Sequence, residues 1–393
     1  MTSHAVFARL PRAFWLYLSG LASTAIADAV LFVALPFVVI GAGGGRAGLA
    51  TVLLFASLPR FLAPLLGTLA DRWPGQTVLA VTALLRAGLL AGVGTFVFFE
   101  TATVVLLSAF AFLNALLVTL SFTAGSALVP RLVPDEQRPQ ANSLSSAALM
   151  GLPLLGYGLG GVLIKLLGSG QTLLVALPLY LLTMLAAVLL RSAAPPQRAG
   201  EGGFLMALRG GLQVVGTQPL LRIMLLLSFA MNLTLNVVNV RAPLFMTGIG
   251  AGANGYALFE GLSAGGALLG ALGVGVLSKR WKTDALINTG RLLCVLAVLT
   301  LAVPQLWGWF VAAALLGLSL GLLEVATITR AQGLVAADTL GRVMGVFLGV
   351  NALGLSLGAV LGGLTVSSTV LFVFLASLLG VLGLLWNRAV RLT

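Results

Sequence analysis

The sequence predicts an all-α, polytopic membrane protein whose twelve transmembrane helices form two pseudo-symmetric six-helix bundles. Three observations predict this fold class: an almost unbroken series of apolar runs, one polar interruption near the middle of the chain, and two short motifs that each occur twice. Of the 393 residues, 59% are hydrophobic and 8% are charged, whereas a soluble domain carries about 25% charged residues. This composition excludes an ordinary soluble protein.

Apolar runs of about 20 residues are long enough to cross the hydrocarbon layer of a bilayer as helices. Turn residues and charges separate twelve such runs, which we place at residues 13–40, 47–70, 77–98, 102–128, 141–166, 172–190, 220–246, 255–277, 285–303, 307–328, 342–366 and 369–387. The first run far exceeds the apolar core of about 7–15 residues in a signal peptide. We therefore expect it to be an uncleaved span.

The longest polar stretch, RSAAPPQRAGEGG at residues 191–203, has the Pro and Gly content of a linker. It separates six predicted spans from the six that follow. We therefore expect an N-terminal bundle at residues 1–190, a cytoplasmic linker at 191–219 and a C-terminal bundle at 220–393.

Basic residues predict the orientation of the chain, because cytoplasmic loops carry an excess of Lys and Arg. If the N-terminus is cytoplasmic, the opposite side has little beyond Arg46 and Lys165, and both termini lie inside. Tryptophan prefers the membrane interface. The Trp residues agree with the span limits, since all lie at or just beyond a predicted end: Trp15, Trp73, Trp281, Trp307, Trp309 and Trp386.

Composition and motifs exclude several function classes. The net charge of +12 comes without a Lys/Arg cluster, so we expect no nucleic-acid partner. The sequence has no GxxxxGK[ST] phosphate loop, and its one histidine, His4, precedes the first span, which leaves no Ser-His-Asp or Cys-His arrangement. The one cysteine, Cys294, allows neither an internal disulfide nor a CxxC metal site. We expect no enzyme activity, no cofactor and no bound metal.

Two motifs recur in equivalent places of the two halves. GTLADRW at residues 67–73 follows the second span, and GVLSKRW at 275–281 follows the eighth. LVPDEQRPQAN precedes a span with Gly156, Gly160 and Gly161, while LVAADTLGRVM precedes one with Gly358, Gly362 and Gly363. The chain therefore looks like a duplicated six-helix unit, as in transporters built from repeats related by an axis along the membrane normal.

The two six-span halves, the loop GTLADRW and the Gly-rich GYGLGG of the fifth span resemble the major facilitator superfamily. Within it, ADAVLFVALPFVV, SLPRFLAPLLGTLADRWP and ALVPRLVPDEQRPQANSL are similar to the macrolide-efflux-like branch of drug:proton antiporters. The chain departs from that pattern where PGQT follows Trp73, where Tyr157 replaces a Pro, and where the fourth span has Asn114 but no Arg. The resemblance implies alternating access, in which two bundles rock around a mid-membrane cavity.

The repeated loop has two interpretations. Gly67 and Gly275 lack a Cβ and would let neighbouring helices come close, while Arg72 and Arg280 would meet lipid headgroups and helix C-terminal carbonyls. The resemblance implies that Asp71 faces a helix N-terminus of the other half. The loop is then either a latch that forms in one conformation and breaks in the other, or a topological and lipid anchor.

Ionisable residues inside predicted spans indicate function, because each costs about 2.5–3.5 kcal/mol at a helix centre and persists mainly where it faces protein or water. Three are acids: Asp28, Glu260 and Glu324. Asp28 is our first candidate for proton coupling, because the first span lines the central cavity in the resembled fold. The alternatives are a static salt bridge from Asp28 to Arg60 or Arg86, an interfacial place for Glu260 and a capping role for Glu324.

A second set of polar residues is predicted to line the substrate cavity. In the seventh span, Asn232, Asn236 and Asn239 are spaced i, i+4, i+7 and share one helical face. Such a face contacts either a cavity or another helix through hydrogen bonds. The other cavity candidates are Arg60, Arg86, Asn114 and Arg241. The alternative for Arg60 and Arg86 is to hold helices together, which is the commoner role of such residues.

These observations predict a monomeric secondary transporter of the bacterial inner membrane that exports small amphipathic or hydrophobic compounds in exchange for protons. Its expected partners are a small-molecule substrate, protons and the lipid bilayer, and the export direction and drug-like substrate follow from the resemblance alone. Two alternatives remain: export or flipping of a metabolite, siderophore or lysolipid, and a non-transporting membrane scaffold or receptor.

Overall fold

A computed structural model describes residues 10–70, 72–190 and 204–392, and all structural statements below concern these residues. They form fourteen α-helices and two 3-10 helices, with no β-strand in the described part. The α-helices are α1 Arg12–Gly41, α2 Gly45–Ser57, α3 Ala63–Ala70, α4 Gly75–Phe98, α5 Val104–Leu132, α6 Arg138–Leu167, α7 Ser169–Leu189, α8 Phe204–Thr217, α9 Pro219–Gly248, α10 Gly252–Leu277, α11 Thr283–Leu301, α12 Leu306–Leu334, α13 Ala337–Gly363 and α14 Ser368–Leu392.

The predicted fold class is confirmed. Among the described residues, eleven helices are long and apolar enough to cross a bilayer. The remaining span, which is the second along the chain, consists of α2, the 3-10 helix Leu58–Leu62 and α3, which follow one another without a gap. Each predicted run coincides with one span, and the largest difference is at the end of α12, predicted at residue 328 and observed at Leu334. Within the predicted linker, α8 is an additional helix.

The second span is interrupted at its proline residues. Pro59 has no backbone N–H and cannot donate an α-helical hydrogen bond, and the chain tightens into the 3-10 helix Leu58–Leu62 around it. Pro64 is the second residue of α3, where a missing N–H costs no hydrogen bond within that helix. Arg60 lies in this 3-10 helix and is exposed.

The chain divides into two compact units. The first contains the described residues of Met1–Ala42 and Leu62–Glu201, and the second those of Gly43–Phe61 and Gly202–Thr393. The segment Gly43–Phe61 thus groups with the second unit, although the sequence assigns it to the N-terminal bundle. The predicted linker boundary at residue 191 lies outside the described residues and stays a prediction.

In the first unit, α1 packs against both α6 and α7. A Cβ at Gly156 of α6 would lie 2.5 Å from the Cβ of Ala29 and 2.7 Å from the carbonyl oxygen of Ile26, so this approach of α6 to α1 requires glycine. Near the start of α1, Phe14 packs in one buried cluster with Leu128 of α5. This arrangement holds the middle of α1 against its neighbours.

The second unit repeats that packing between α9 and α13. A Cβ at Gly358 of α13 would lie 3.0 Å from the Cα of Leu233 in α9. Gly156 and Gly358 occupy corresponding places in the repeated sequence, and each brings its helix onto the first spanning helix of its unit. The duplicated glycine pattern therefore reflects a duplicated helix contact.

The helix α2 packs against α13 inside the second unit. The hydroxyl groups of Ser57 and Ser356 form a 2.7 Å hydrogen bond, and a Cβ at Gly363 would lie 2.5 Å from the Cβ of Ala50. Arg46 donates a 3.2 Å hydrogen bond to the carbonyl oxygen of Leu364, which follows the last residue of α13. These contacts explain why Gly43–Phe61 groups with the second unit.

Candidate functional site

Asp28 lies in a cluster of polar side chains inside the first unit. Its Oδ1 accepts from Nη2 of Arg86, which forms an ion pair with it, and from the Tyr180 hydroxyl at 2.7 Å. Arg86 Nη2 also donates to the Tyr180 hydroxyl oxygen at 2.7 Å, and Arg86 Nε donates to Oδ1 of Asn114 at 2.9 Å. Four helices, α1, α4, α5 and α7, thus contribute one side chain each.

The two charged members of this cluster differ in exposure. The Arg86 side chain is 3% exposed and the Asp28 side chain 36%. The guanidinium also lies over the Tyr180 ring, with its carbon 4.2 Å from the ring centroid, a contact that stabilises a desolvated cation. Arg86 is therefore held from three sides, whereas Asp28 is held through Oδ1 and its Oδ2 accepts no hydrogen bond from the described residues.

A cavity of about 330 Å³ opens beside this cluster within the first unit, and Asp28 and Arg86 both line it. It also reaches Tyr17 near the start of α1, Val129 near the end of α5 and Asn142 near the start of α6. Because successive spans run in opposite directions, these residues lie at the end of the unit where α1 begins. The cavity therefore connects that end to the carboxylate of Asp28.

Hydroxyl-bearing residues line the cavity walls among apolar ones. The hydroxyl groups of Thr24 and Thr183 bond to each other at 2.9 Å. The Ser145 hydroxyl is different, because the residue is only 8% exposed and its Oγ has no hydrogen-bond partner among the described residues. A buried polar group without a partner costs about 1–3 kcal/mol.

Part of the predicted site is assembled in this cluster. Asp28 and Arg86 form the salt bridge that was the alternative to a free carboxylate, and they also line a cavity. Asn114 belongs to the same cluster, because its Oδ1 accepts a hydrogen bond from Arg86. Tyr180 was not predicted; a Tyr in an apolar span is the signal that could have found it, since a buried Tyr hydroxyl usually has a hydrogen-bond partner.

The asparagines of α9 make hydrogen bonds inside the second unit. Asn236 is 4% exposed and its Nδ2 donates to the Leu355 carbonyl of α13 at 2.6 Å. Asn232 donates to the Ser228 carbonyl at 2.9 Å, and Asn239 lies 3.4 Å from Oδ1 of Asn236. Asn236 thus forms an interhelical hydrogen bond, and a cavity role for all three asparagines stays a prediction.

Arg241 binds the end of α13 through its guanidinium. It is 3% exposed and donates to the carbonyl oxygens of Gly362 and Leu364, both at 2.7 Å. Further bonds go to the Val366 carbonyl and the Ser368 hydroxyl. The cation thereby satisfies carbonyl groups at the C-terminal end of α13. Substrate contact by Arg241 stays a prediction.

The other predicted intramembrane charges, Glu260, Glu324 and Arg60, belong to the second unit. Glu260 is 8% exposed in α10, with Oε1 unpartnered among the described residues, and Glu324 of α12 is exposed. Arg60 is exposed on the 3-10 helix. Proton coupling by the two glutamates and substrate contact by Arg60 stay predictions.

The repeated loop is described only in part, since Asp71 lies outside the described residues. Arg72 and Arg280 are exposed. A Cβ at Gly67 or Gly275 would meet nothing within 4 Å, so the expected close helix approach at these glycines is absent from the described structure. The latch itself stays a prediction.

Metal binding has no support in the described residues, where no three His, Cys, Asp or Glu side chains group together.

Twelve membrane spans, two repeated units and a charged pair beside an internal cavity define the class: a polytopic membrane transporter. The chain belongs to the Major Facilitator Superfamily, whose sequence profile matches residues 17–359. It is a transporter and not an enzyme.

Two curated relatives and one solved structure illustrate the similarity. An "Uncharacterized MFS-type transporter y4rN" of Sinorhizobium fredii is 27% identical over 355 residues, covering 84% of this chain and 87% of that protein. A "Multidrug efflux pump Tap" of Mycolicibacterium fortuitum is 26% identical over 347 residues, with 86% and 85% covered. The crystal structure of the nucleoside transporter NupG superposes with a TM-score of 0.77 at 12% identity, covering 97% of this chain and 99% of that one, which shows a shared fold.

Proposed function

We propose that the protein is a proton-coupled exporter of small amphipathic or hydrophobic compounds that works by alternating access. We place it in the inner membrane of a bacterium, as a monomer with both termini in the cytoplasm. The distribution of Lys and Arg supports this orientation, because the side opposite the N-terminus has little beyond Arg46 and Lys165.

The observation that carries the proposal is the carboxylate of Asp28 beside a cavity. An intramembrane acid is costly and persists where it is paired or reaches water. Asp28 meets both conditions, since Oδ1 is paired with Arg86 while the side chain is 36% exposed beside the cavity. A proton entering along the cavity would bind Oδ2, which accepts no hydrogen bond from the described residues.

Protonation of Asp28 would weaken its attraction to Arg86, because the Coulomb term vanishes when the carboxyl group is neutral. Arg86 would keep its hydrogen bonds to Asn114 and Tyr180, which hold the guanidinium at α5 and α7. α1 would then be released from α4 at this level. This is the local change that we propose to bias the transporter from one conformation to the other.

Export and an amphipathic substrate are supported by the relatives named multidrug efflux pumps and by the apolar walls of the cavity. We keep Glu260 and Glu324 as proposed further proton-binding groups. The proposed substrate contacts are Asn114, Asn232, Asn236, Asn239, Arg60, Arg86 and Arg241. The loops around Gly67 and Gly275, with Asp71, Arg72 and Arg280, are the proposed latch.

Asp28→Asn tests the proposal, because the amide keeps the size of the side chain and cannot bind the proton. Purified protein in proteoliposomes is assayed for efflux of a panel of radiolabelled amphipathic compounds, with and without a pH gradient. We expect the variant to lose the stimulation by the gradient. The matched control is Asp135→Asn. Asp135 lies in the 3-10 helix Asp135–Gln137 outside the cavity, and its exposed carboxylate pairs with Arg138 at 2.7 Å.

Three results would contradict the proposal. Gradient-driven efflux that survives Asp28→Asn would exclude Asp28 as the coupling group. Transport restricted to a metabolite or lysolipid, with no amphipathic compound moved, would replace the substrate class. An absence of transport for every compound tested would leave the chain without the proposed activity.

A further inference from the structure

We propose that the cavity of the first unit is itself a binding site, and that it takes an uncharged amphipathic molecule whose polar group hydrogen-bonds to Ser145. The inference deepens the proposed function by naming the substrate class. It locates the site inside one unit, among α1, α4, α5, α6 and α7.

The first support is the state of Ser145. The residue lines the cavity, is 8% exposed, and its Oγ has no hydrogen-bond partner among the described residues. By contrast, Thr24 and Thr183 on the same walls satisfy each other. A ligand with one hydroxyl, carbonyl or amide group would provide the missing partner of Ser145.

The second support is the charge balance of the cavity. Asp28 and Arg86 are the charged residues that line it, and they form an ion pair with each other. The cavity therefore has no net charge to offset a bound ion. An organic cation or anion would lose its hydration without gaining a free counter-charge, which is strongly unfavourable.

The third support is the size and wall chemistry of the cavity. Its volume of about 330 Å³ lies at the lower end of the range for small-molecule sites. Val118, Phe122 and Leu149 supply apolar surface, and Gly125 leaves space opposite Tyr17. A molecule of about two fused rings with one polar substituent matches this combination.

A matched series of naphthalene compounds tests the inference on the purified full chain in lipid nanodiscs. 2-Naphthalenemethanol is uncharged, (2-naphthylmethyl)trimethylammonium is a cation and 2-naphthoate is an anion, with the same ring system throughout. Equilibrium dialysis with naphthalene fluorescence measures each affinity. We expect saturable binding of the alcohol and at least about tenfold weaker binding of both ions.

Two variants connect the binding to the cavity. Ser145→Ala removes the unpaired hydroxyl and should weaken binding of the alcohol about tenfold, as expected for one hydrogen bond. Ser143→Ala on the exposed face of the same helix is the control and should bind like the wild type. Gly125→Leu fills the cavity, because a Cβ there already lies 3.5 Å from the Tyr17 hydroxyl oxygen, and should abolish saturable binding.

The outcomes separate this inference from the proposed function. Equal binding of the cation, or alcohol binding unchanged in both Ser145→Ala and Gly125→Leu, would overturn the inference while proton-driven efflux could still be measured. Binding that follows the expected pattern in a protein whose efflux ignores the pH gradient would retain the site and reject the proton coupling.

Discussion

Tyr180 occupies the position between the two charges of the candidate site. Its hydroxyl donates to Asp28 Oδ1 and accepts from Arg86 Nη2, both at 2.7 Å, and the residue is 1% exposed. A hydrogen bond donated to a carboxylate is charge-assisted and stronger than one between neutral groups. Tyr180 therefore positions both Asp28 and Arg86.

Tyr180→Phe should lower the thermal stability of the protein. The phenyl ring keeps the contact with the Arg86 guanidinium, but the Asp28 carboxylate and Arg86 each lose one hydrogen bond. The loss should be about 1–3 kcal/mol, given the strength of hydrogen bonds to charged groups. The measurement is the melting temperature of the purified protein in detergent. An unchanged melting temperature would show that Tyr180 only packs.

At this scale the sequence predicts which residues are chemically unusual and leaves their partners open. Asp28 and Arg86 stand out because charge is rare in apolar spans. Their pairing depends on the rotation of α1 and α4 about their axes, which apolar runs without a polar face do not determine. Ser145 is likewise an ordinary serine in the sequence, and only the folded structure shows that its hydroxyl lacks a partner among the described residues.

At the scale of helices, the closest packing lies between α10 and α12. A Cβ at Gly321 would lie 2.7 Å from the backbone nitrogen of Ala271, and one at Gly317 would lie 2.9 Å from that of Ala267. Small residues let membrane helices approach to backbone contact, where dispersion replaces the missing hydrophobic driving force. This pair of helices should therefore be rigid.

Gly321→Ala and Gly333→Ala should have opposite effects on thermal stability, although both lie in α12. At Gly333 a Cβ meets nothing within 4 Å, so alanine should stabilise the helix by up to about 1 kcal/mol. At Gly321 the same methyl group meets the backbone of α10 and should destabilise by about 1–3 kcal/mol. Melting temperatures in detergent measure the stability change of both variants. Equal shifts would mean that α10 moves aside without cost.

The helix limits are the best predicted feature, because length and apolar composition are nearly sufficient to place a membrane span. The interruption of the second span at Leu58–Leu62 was not predicted, although Pro59 and Pro64 were visible. Prolines are tolerated in membrane helices, and α1 continues through Pro36. Which proline breaks a helix depends on neighbouring contacts that the sequence does not display.

At the scale of the whole molecule, the division into units does not follow the division of the chain. α2 belongs to the N-terminal half of the sequence, yet it packs against α13 and groups with the second unit. A polypeptide that begins at Phe204 therefore lacks one helix of its own unit. The two halves of the chain should depend on each other for stability.

Two fragments, residues 1–203 and 204–393, should copurify when they are expressed together. Gly363→Leu in the second fragment should reduce the yield of complex, because a side chain there collides with Ala50 of α2. Gly345→Leu is the matched control on α13, since a Cβ at that position meets nothing within 4 Å. Affinity purification through a tag on one fragment gives the ratio of the two fragments in the recovered complex. Equal yields for the two variants would show that the α2 contact is dispensable for assembly.

The pairing of Asp28 with Arg86 also has an electrical consequence for the whole cycle. The ionised pair carries no net charge, and one added proton makes it a single positive charge. If an uncharged solute leaves as that proton enters, each turnover moves one elementary charge through the bilayer. A membrane voltage of about 100 mV would then contribute about 2.3 kcal/mol per cycle. Voltage alone, without any difference in acidity, would be enough to drive the exchange.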